Sequence, residues 1–151
     1  DGYVVPKNDE FFSEYASKNR LKAISNFTGS AGLAIILKTK NYLFVDGRYT
    51  LQAKIESGKK FKITKYEKIL NCNLFKNFTL GLDPKLFTSL QLRKYFKKYN
   101  KVKKIKLNLI DSIYDKYSFK SRPFFSINEN IVGENHFFKI NKITNFLKKR
   151  G

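Results

Sequence analysis

A chain of 151 residues, with 42% hydrophobic and 16% aromatic side chains, carries enough apolar material to offset the entropy of ordering one compact domain, which excludes an intrinsically disordered segment. The formal net charge of +19 brings non-specific attraction to polyanions, but only five of the 31 basic residues are arginines (Arg20, Arg48, Arg93, Arg122 and Arg150), whereas nucleic-acid readers lean on the planar, bidentate Arg fork. The single cysteine, Cys72, excludes an internal disulfide and a cysteine-clustered zinc site, and the apolar runs from 33 to 37 and from 42 to 45 fall far short of the roughly 20 residues that cross a bilayer.

Gly2 to Val5 is a β-prone run ended by Pro6. Asn19 is placed to cap a short helix from Arg20 to about Ser25, with Leu21 and Ile24 turned inward. Gly29 and Gly32 then precede the run Leu33 to Leu37, a polar Lys38-Thr39-Lys40-Asn41 turn and the run Tyr42 to Val45, which together read as a β-hairpin. A sharp turn at Asp46-Gly47-Arg48-Tyr49 leads into a helix over 50–56, stopped by Ser57-Gly58. Alternation predicts strands at 61–66, at 79–82 and at 104–107. After Thr88 and Ser89, the positions Leu92, Tyr95, Phe96 and Tyr99 form one apolar helical face, with Lys94, Lys97, Lys98 and Lys101 opposite. Asn108 to Tyr114 reads as a turn entering a short helix, and Arg122-Pro123 as extended chain. The last helix is predicted from about Glu134, with His136, Ile140, Ile143 and Leu147 on one inward face and Gly151 as its stop. Strands alternating with helices around one tight hairpin argue for a single α/β domain with a mixed sheet instead of a purely parallel one.

Chemistry needs a nucleophile or a metal, and neither pattern is evident. His136 is the only histidine, it falls on an apolar stripe where a packed role is expected, and no orienting partner lies near it. A Cys72–His136 pair has nothing to support it, and the 12 carboxylates are dispersed without metal-ligand spacing. The Phe27-Thr28-Gly29-Ser30-Ala31-Gly32 stretch is glycine-rich, yet its glycines precede a strand instead of opening a helix, which argues against a phosphate loop. Asp46-Gly47-Arg48-Tyr49 leaves two readings open: an Asp cap beside a solvated Arg, or a guanidinium held on a functional corner.

The segments Gly2-Tyr3-Val4-Val5-Pro6, Ser13-Glu14-Tyr15, Ile24 to Gly32 and Val45 to Tyr49 with Gln52-Ala53, followed by Gly81-Leu82-Asp83-Pro84, Asn108-Leu109-Ile110-Asp111 and Arg122-Pro123, resemble in order and spacing the start of Xaa-Pro aminopeptidase (aminopeptidase P). The resemblance implies the creatinase/prolidase-type amino-terminal fold, a ribonuclease H-like α/β layer, over residues 1–151, with the middle domain and the carboxy-terminal metal-binding domain lying beyond them. It implies a cytoplasmic parent metallopeptidase that uses two divalent metal ions, manganese in the usual case, to release the residue before proline, and that forms a homodimer. For this segment it implies no cofactor, no catalytic residue and a role in shaping substrate access and subunit contacts. Arg48 would face the substrate channel, Glu14 would hold the interface or the Arg, and Asp46 and Tyr49 would orient the corner. The sequence departs from the pattern at Phe11, where the family has His, and at Asn26, where it has Gly. The competing reading is a basic nucleic-acid-binding module built on Lys101 to Lys106 with Tyr95 and Tyr99.

Overall fold

The computed structural model describes residues 1–13, 18–70, 75–97, 101–114 and 123–150. The chain divides into two compact units, residues 1–118 and 119–151.

The first unit is built on a six-stranded mixed sheet. In chain order its strands are β1 (Gly2–Pro6), β2 (Gly32–Leu37), β3 (Asn41–Val45), β4 (Lys62–Lys65), β5 (Thr79–Leu82) and β6 (Lys101–Lys104), arranged spatially as β4-β3-β2-β1-β5-β6. The expected hairpin joins β2 and β3 with Leu33 opposite Phe44, and β1 runs antiparallel to β2. The other pairings, β1 with β5, β5 with β6 and β3 with β4, are parallel.

Successive side chains of a strand point to opposite faces, and here both faces are covered. Val4, Leu33, Ile35, Phe44, Leu80 and Leu82 enter one core together with Leu86, Leu92 and Phe96. Val5, Ala34, Leu43 and Val45 enter the other, where they meet Leu21 of α1 (Arg20–Ser25), Ala53 of α2 (Thr50–Ser57) and Ile110 of α4 (Leu109–Ile113). The result is the layered α/β architecture with flanking helices that the family resemblance implied. The near-continuous apolar runs of β2 and β3 follow from burial on both sides.

Helix ends follow side-chain chemistry. Asn19 accepts from the Lys22 amide, Asn108 from Ile110, and Thr88 forms a reciprocal capping box with Gln91 at the start of α3 (Ser89–Leu92). The α1 terminus explains one departure from the family pattern: Asn26 sits at φ 63, the left-handed position where glycine is preferred and asparagine is the next best residue.

Three expectations shift. The sixth strand is Lys101–Lys104, not 104–107, because Thr79 to Leu82 offers partners to those residues, and Ile105 ends the ladder by donating to the Leu82 carbonyl. Beyond Leu92 the chain widens into a π turn over Arg93–Lys97, which still buries Leu92 and Phe96 and half-buries Tyr95; Lys101 lies on β6 instead of the helix, and Tyr99 and Lys98 lie outside the described residues.

The second unit, among its described residues, consists of α5 (Glu129–Val132), which the sequence reading missed, and α6 (His136–Lys148). Asn135 caps α6 by accepting from the Phe137 amide, one residue beyond the expected start. His136 is exposed on α6 with its ring 4.1 Å from that of Phe137, so the packed position expected of it is incorrect: the apolar stripe on which it lies is not buried.

Candidate functional site

The hairpin register determines which loops meet. Gly32 pairs with Val45, so the glycine-rich stretch entering β2 and the Asp46–Tyr49 corner leaving β3 lie side by side. The Tyr49 hydroxyl and Ser30 Oγ are 2.8 Å apart and share a hydrogen bond, and the Tyr49 ring meets the buried Phe27 ring edge-on at 6.0 Å. A Cβ at Gly29 would overlap that same Phe27 ring, which is why the loop carries a glycine there. A second tie comes from α2: Thr28 donates through its amide and hydroxyl to the Glu56 carboxylate at 2.8 and 2.7 Å, and Gln52 donates to both Thr28 Oγ1 and Glu56. Burial acts against the Glu56 charge, but those bonds outweigh it and hold its carboxyl below the usual range.

At the corner itself Gly47–Tyr49 forms a 3-10 turn whose cap is Asp46, accepting from the Arg48 amide at 3.0 Å. Arg48 Nε donates to the same Asp46 oxygen at 3.0 Å, and the guanidinium lies 5.6 Å from the Tyr49 ring centre, while the side chain remains 76% exposed. The Arg48 bonds lower the Asp46 pKa. The cap reading therefore holds: Asp46 closes the turn and also accepts from the exposed Arg48 side chain. Of the four residues named for the site, Asp46, Arg48 and Tyr49 are brought together; Glu14 lies outside the described residues. A cleft of about 320 Å³ opens beside them, lined by Ala31, Asp46, Tyr66, Glu67, Lys94 and Tyr95 among others. Burial and the neighbouring Tyr95 hydroxyl push the Tyr66 phenol up, so Tyr66 enters this cleft as a neutral hydrogen-bonding group.

Sequence reasoning missed Ser30, Glu56 and the Tyr66–Tyr95 pair as neighbours of the corner. Only the Gln52–Glu56 spacing of four along α2 offered a signal. It also missed a buried clamp. Arg20, 1% exposed, donates from Nε and Nη2 to the two oxygens of Asp111 and from Nη2 to Glu10, each at 2.7 Å. Asn108 of the same motif donates to Asp83 at 3.0 Å, so the Gly81–Pro84 and Asn108–Asp111 motifs meet in a structural network that ties α1, α4 and β5. Among the described residues no group of three or more His, Cys, Asp or Glu side chains could hold a metal ion, and no described helix is long and apolar enough to cross a membrane.

No family model matches the chain. It is 34% identical over 164 aligned residues to a probable Xaa-Pro aminopeptidase P of Laccaria bicolor, an alignment that takes in 98% of this chain and 26% of that protein. The chain thus spans about a quarter of the length of such relatives. In fold it is similar to the X-prolyl aminopeptidase of Caenorhabditis elegans, described as a cytosolic enzyme with a di-nuclear active site, with a TM-score of 0.74 and 23% identity over 99% of this chain and 27% of that one. It is also similar to the N-terminal domain of the cytoplasmic peptidase PepQ from Mycobacterium tuberculosis, with a TM-score of 0.56 and 15% identity over 76% of this chain and 87% of that one. The order of motifs, the capped Asp46–Tyr49 corner on a mixed α/β sheet and these matches agree: the chain is homologous to the amino-terminal part of the Xaa-Pro aminopeptidases, aminopeptidase P.

Proposed function

We propose that this chain is the non-catalytic amino-terminal segment of a cytoplasmic Xaa-Pro aminopeptidase, where it shapes access of peptides with a free amino end and proline second. In this reading hydrolysis is performed by a part of the polypeptide outside residues 1–151. That part would supply the two metal ions, manganese in the usual case, whose chemistry is activation of water and polarisation of the peptide carbonyl. The chain's own work is positional. The observation that supports it best is the Asp46–Tyr49 corner at the end of β3, where Asp46 accepts from the exposed Arg48 side chain and Tyr49, bonded to Ser30, lies beside its guanidinium. A planar, permanently charged fork of that kind suits a peptide carboxylate. Glu14 keeps its proposed part in holding the interface or Arg48, and subunit contacts of a homodimer are the second proposed role.

The basic module reading finds less support. Lys101, Lys103 and Lys104 lie exposed on the edge strand β6, where charge opposes unwanted strand addition, and Tyr95 is half-buried against Tyr66 and Phe96 instead of presenting a stacking face. Attraction to nucleic acid is therefore expected to be weak and indifferent to sequence. The experiment is an Arg48→Ala change in the full-length enzyme. Its kcat/KM toward short Xaa-Pro peptides should fall about tenfold or more, the scale of one lost charge-assisted hydrogen bond, with melting temperature unchanged. Unaltered kinetics would remove Arg48 from substrate access.

A further inference from the structure

Open α/β sheets hold ligands in the crevice outside the carboxyl ends of their strands. Here β3 and β4 run parallel with Val45 opposite Lys65, so the residues that leave them, Asp46 and Tyr66, emerge side by side at that end of the sheet. Glu67 follows in the 3-10 turn Tyr66–Ile69. The facing wall comes from a distant part of the chain. The π turn Arg93–Lys97, a form that is rare and gathers at functional sites, brings Lys94 and Tyr95 to the same cleft of about 320 Å³. That volume lies at the small end of the range for small-molecule sites, about 300–1,000 Å³. Ala31 and Leu70 add apolar surface to it.

The charges around this cleft specify a ligand because they do not satisfy one another. Glu67 and Lys94 both line it, yet among the described residues neither forms an ion pair. Both bonds from Arg48 to Asp46 end on Oδ1, so Oδ2 is not used by them. Carboxylates thus come from the strand ends and an ammonium from the π turn, and a molecule carrying one group of each sign bridges them. Tyr66 adds a protonated hydroxyl, and the Tyr66 and Tyr95 rings, 6.1 Å apart and edge-on, join Ala31 and Leu70 as surface for an apolar side chain. We propose that this cleft binds a free apolar α-amino acid, its ammonium held by Glu67 and Asp46 and its carboxylate by Lys94. A hollow of about 430 Å³ at the opposite end of the hairpin shows the contrast: Lys38, Lys40, Lys59, Lys60 and Lys62 line it without a carboxylate, so it attracts anions and does not select a zwitterion. Arg48 does not line the amino-acid cleft, and every group that does lies between Ala31 and Tyr95, so binding requires no other part of the parent enzyme.

The test is a titration of the 151-residue chain with L-leucine, followed by calorimetry and by NMR shifts. Binding should saturate with a Kd of about 1 mM or tighter, with the shifts centred on Glu67, Leu70, Lys94 and Tyr95. Two analogues each remove one charge: leucinamide lacks the carboxylate and isocaproate lacks the ammonium. Each should bind at least about tenfold more weakly than leucine, the scale of one lost charge-assisted hydrogen bond. Lys94→Gln should weaken leucine to a similar extent without further weakening leucinamide, and Glu67→Gln should do so without further weakening isocaproate. Both side chains are exposed, so the variants should melt with the wild type. No saturable binding up to about 20 mM leucine would overturn the proposal, as would equal affinity for the three probes or wild-type leucine affinity in both variants. Shifts centred on the lysine-lined hollow would reduce the effect to anion attraction and overturn it as well.

Discussion

Residues 1–118 and residues 119–151 carry similar amphipathic patterns and end in opposite states. In the first unit the stripe Leu92 and Phe96 closes over a sheet that already presents Leu80 and Leu82, and all the buried apolar side chains of the described residues lie between Val4 and Ile110. In the second, Ile140, Ile143 and Leu147 keep the same spacing and remain exposed. Periodicity reports which face of a helix favours burial; whether the covering surface exists depends on what else the chain supplies.

The sharpest way to break the contrast is a pair of truncations. Phe44→Ala removes a fully buried ring that contacts Phe75 and Tyr42, and should cost about 3–5 kcal/mol in urea unfolding of the 151-residue chain. Ile140→Ala in α6 should stay within about 0.5 kcal/mol. Comparable costs would mean that α6 is packed in this chain after all.

Next in size is the buried clamp. Arg20→Met should destabilise by about 3 kcal/mol, the low end for breaking a buried ion pair, because Glu10 and Asp111 remain about one-third exposed. It also has a pH signature. Hydrogen bonds from Arg20 hold the Asp111 carboxyl below the usual carboxylate range, so its contribution is complete above the unfolded value of about 3.9 and is lost as pH falls through the lower folded value. Wild-type stability should therefore drop below pH 4, and Arg20→Met should show a shallower drop in the same window. Parallel curves would assign the acid sensitivity elsewhere.

A smaller effect is expected at the glycine-rich loop. Gly29→Ala forces a methyl against the Phe27 ring and should cost about 1–3 kcal/mol, with near-ultraviolet circular dichroism reporting the displaced Phe27–Tyr49 pair. A neutral outcome would show that the loop can move away from its ring without disturbing the corner.

Much of the first unit was legible because its signals are local. Apolar runs bounded by turn residues located β1 to β3, alternation located β4 and β5, and the Asn19 cap fixed the start of α1 to the residue. What escaped depends on distant partners. Arg20 and Asp111 are 91 positions apart, and neither residue type nor spacing announces their pairing. The register of β6 is set by Thr79 to Leu82, and the π turn after Leu92 by packing of Phe96 on Phe87, neither of which a periodicity contains. At the site, Asp46, Arg48 and Tyr49 were read from one short motif, whereas Ser30 and Glu56 join them only through the hairpin register and the facing helix.

The most direct test is where peptide cleavage resides. Purified residues 1–151 and the full-length protein, each supplied with manganese, should be assayed side by side for release of the amino-terminal residue from an Xaa-Pro tripeptide. Turnover by the full-length protein alone is the result expected; cleavage by the 151-residue chain, with its single histidine, would contradict it.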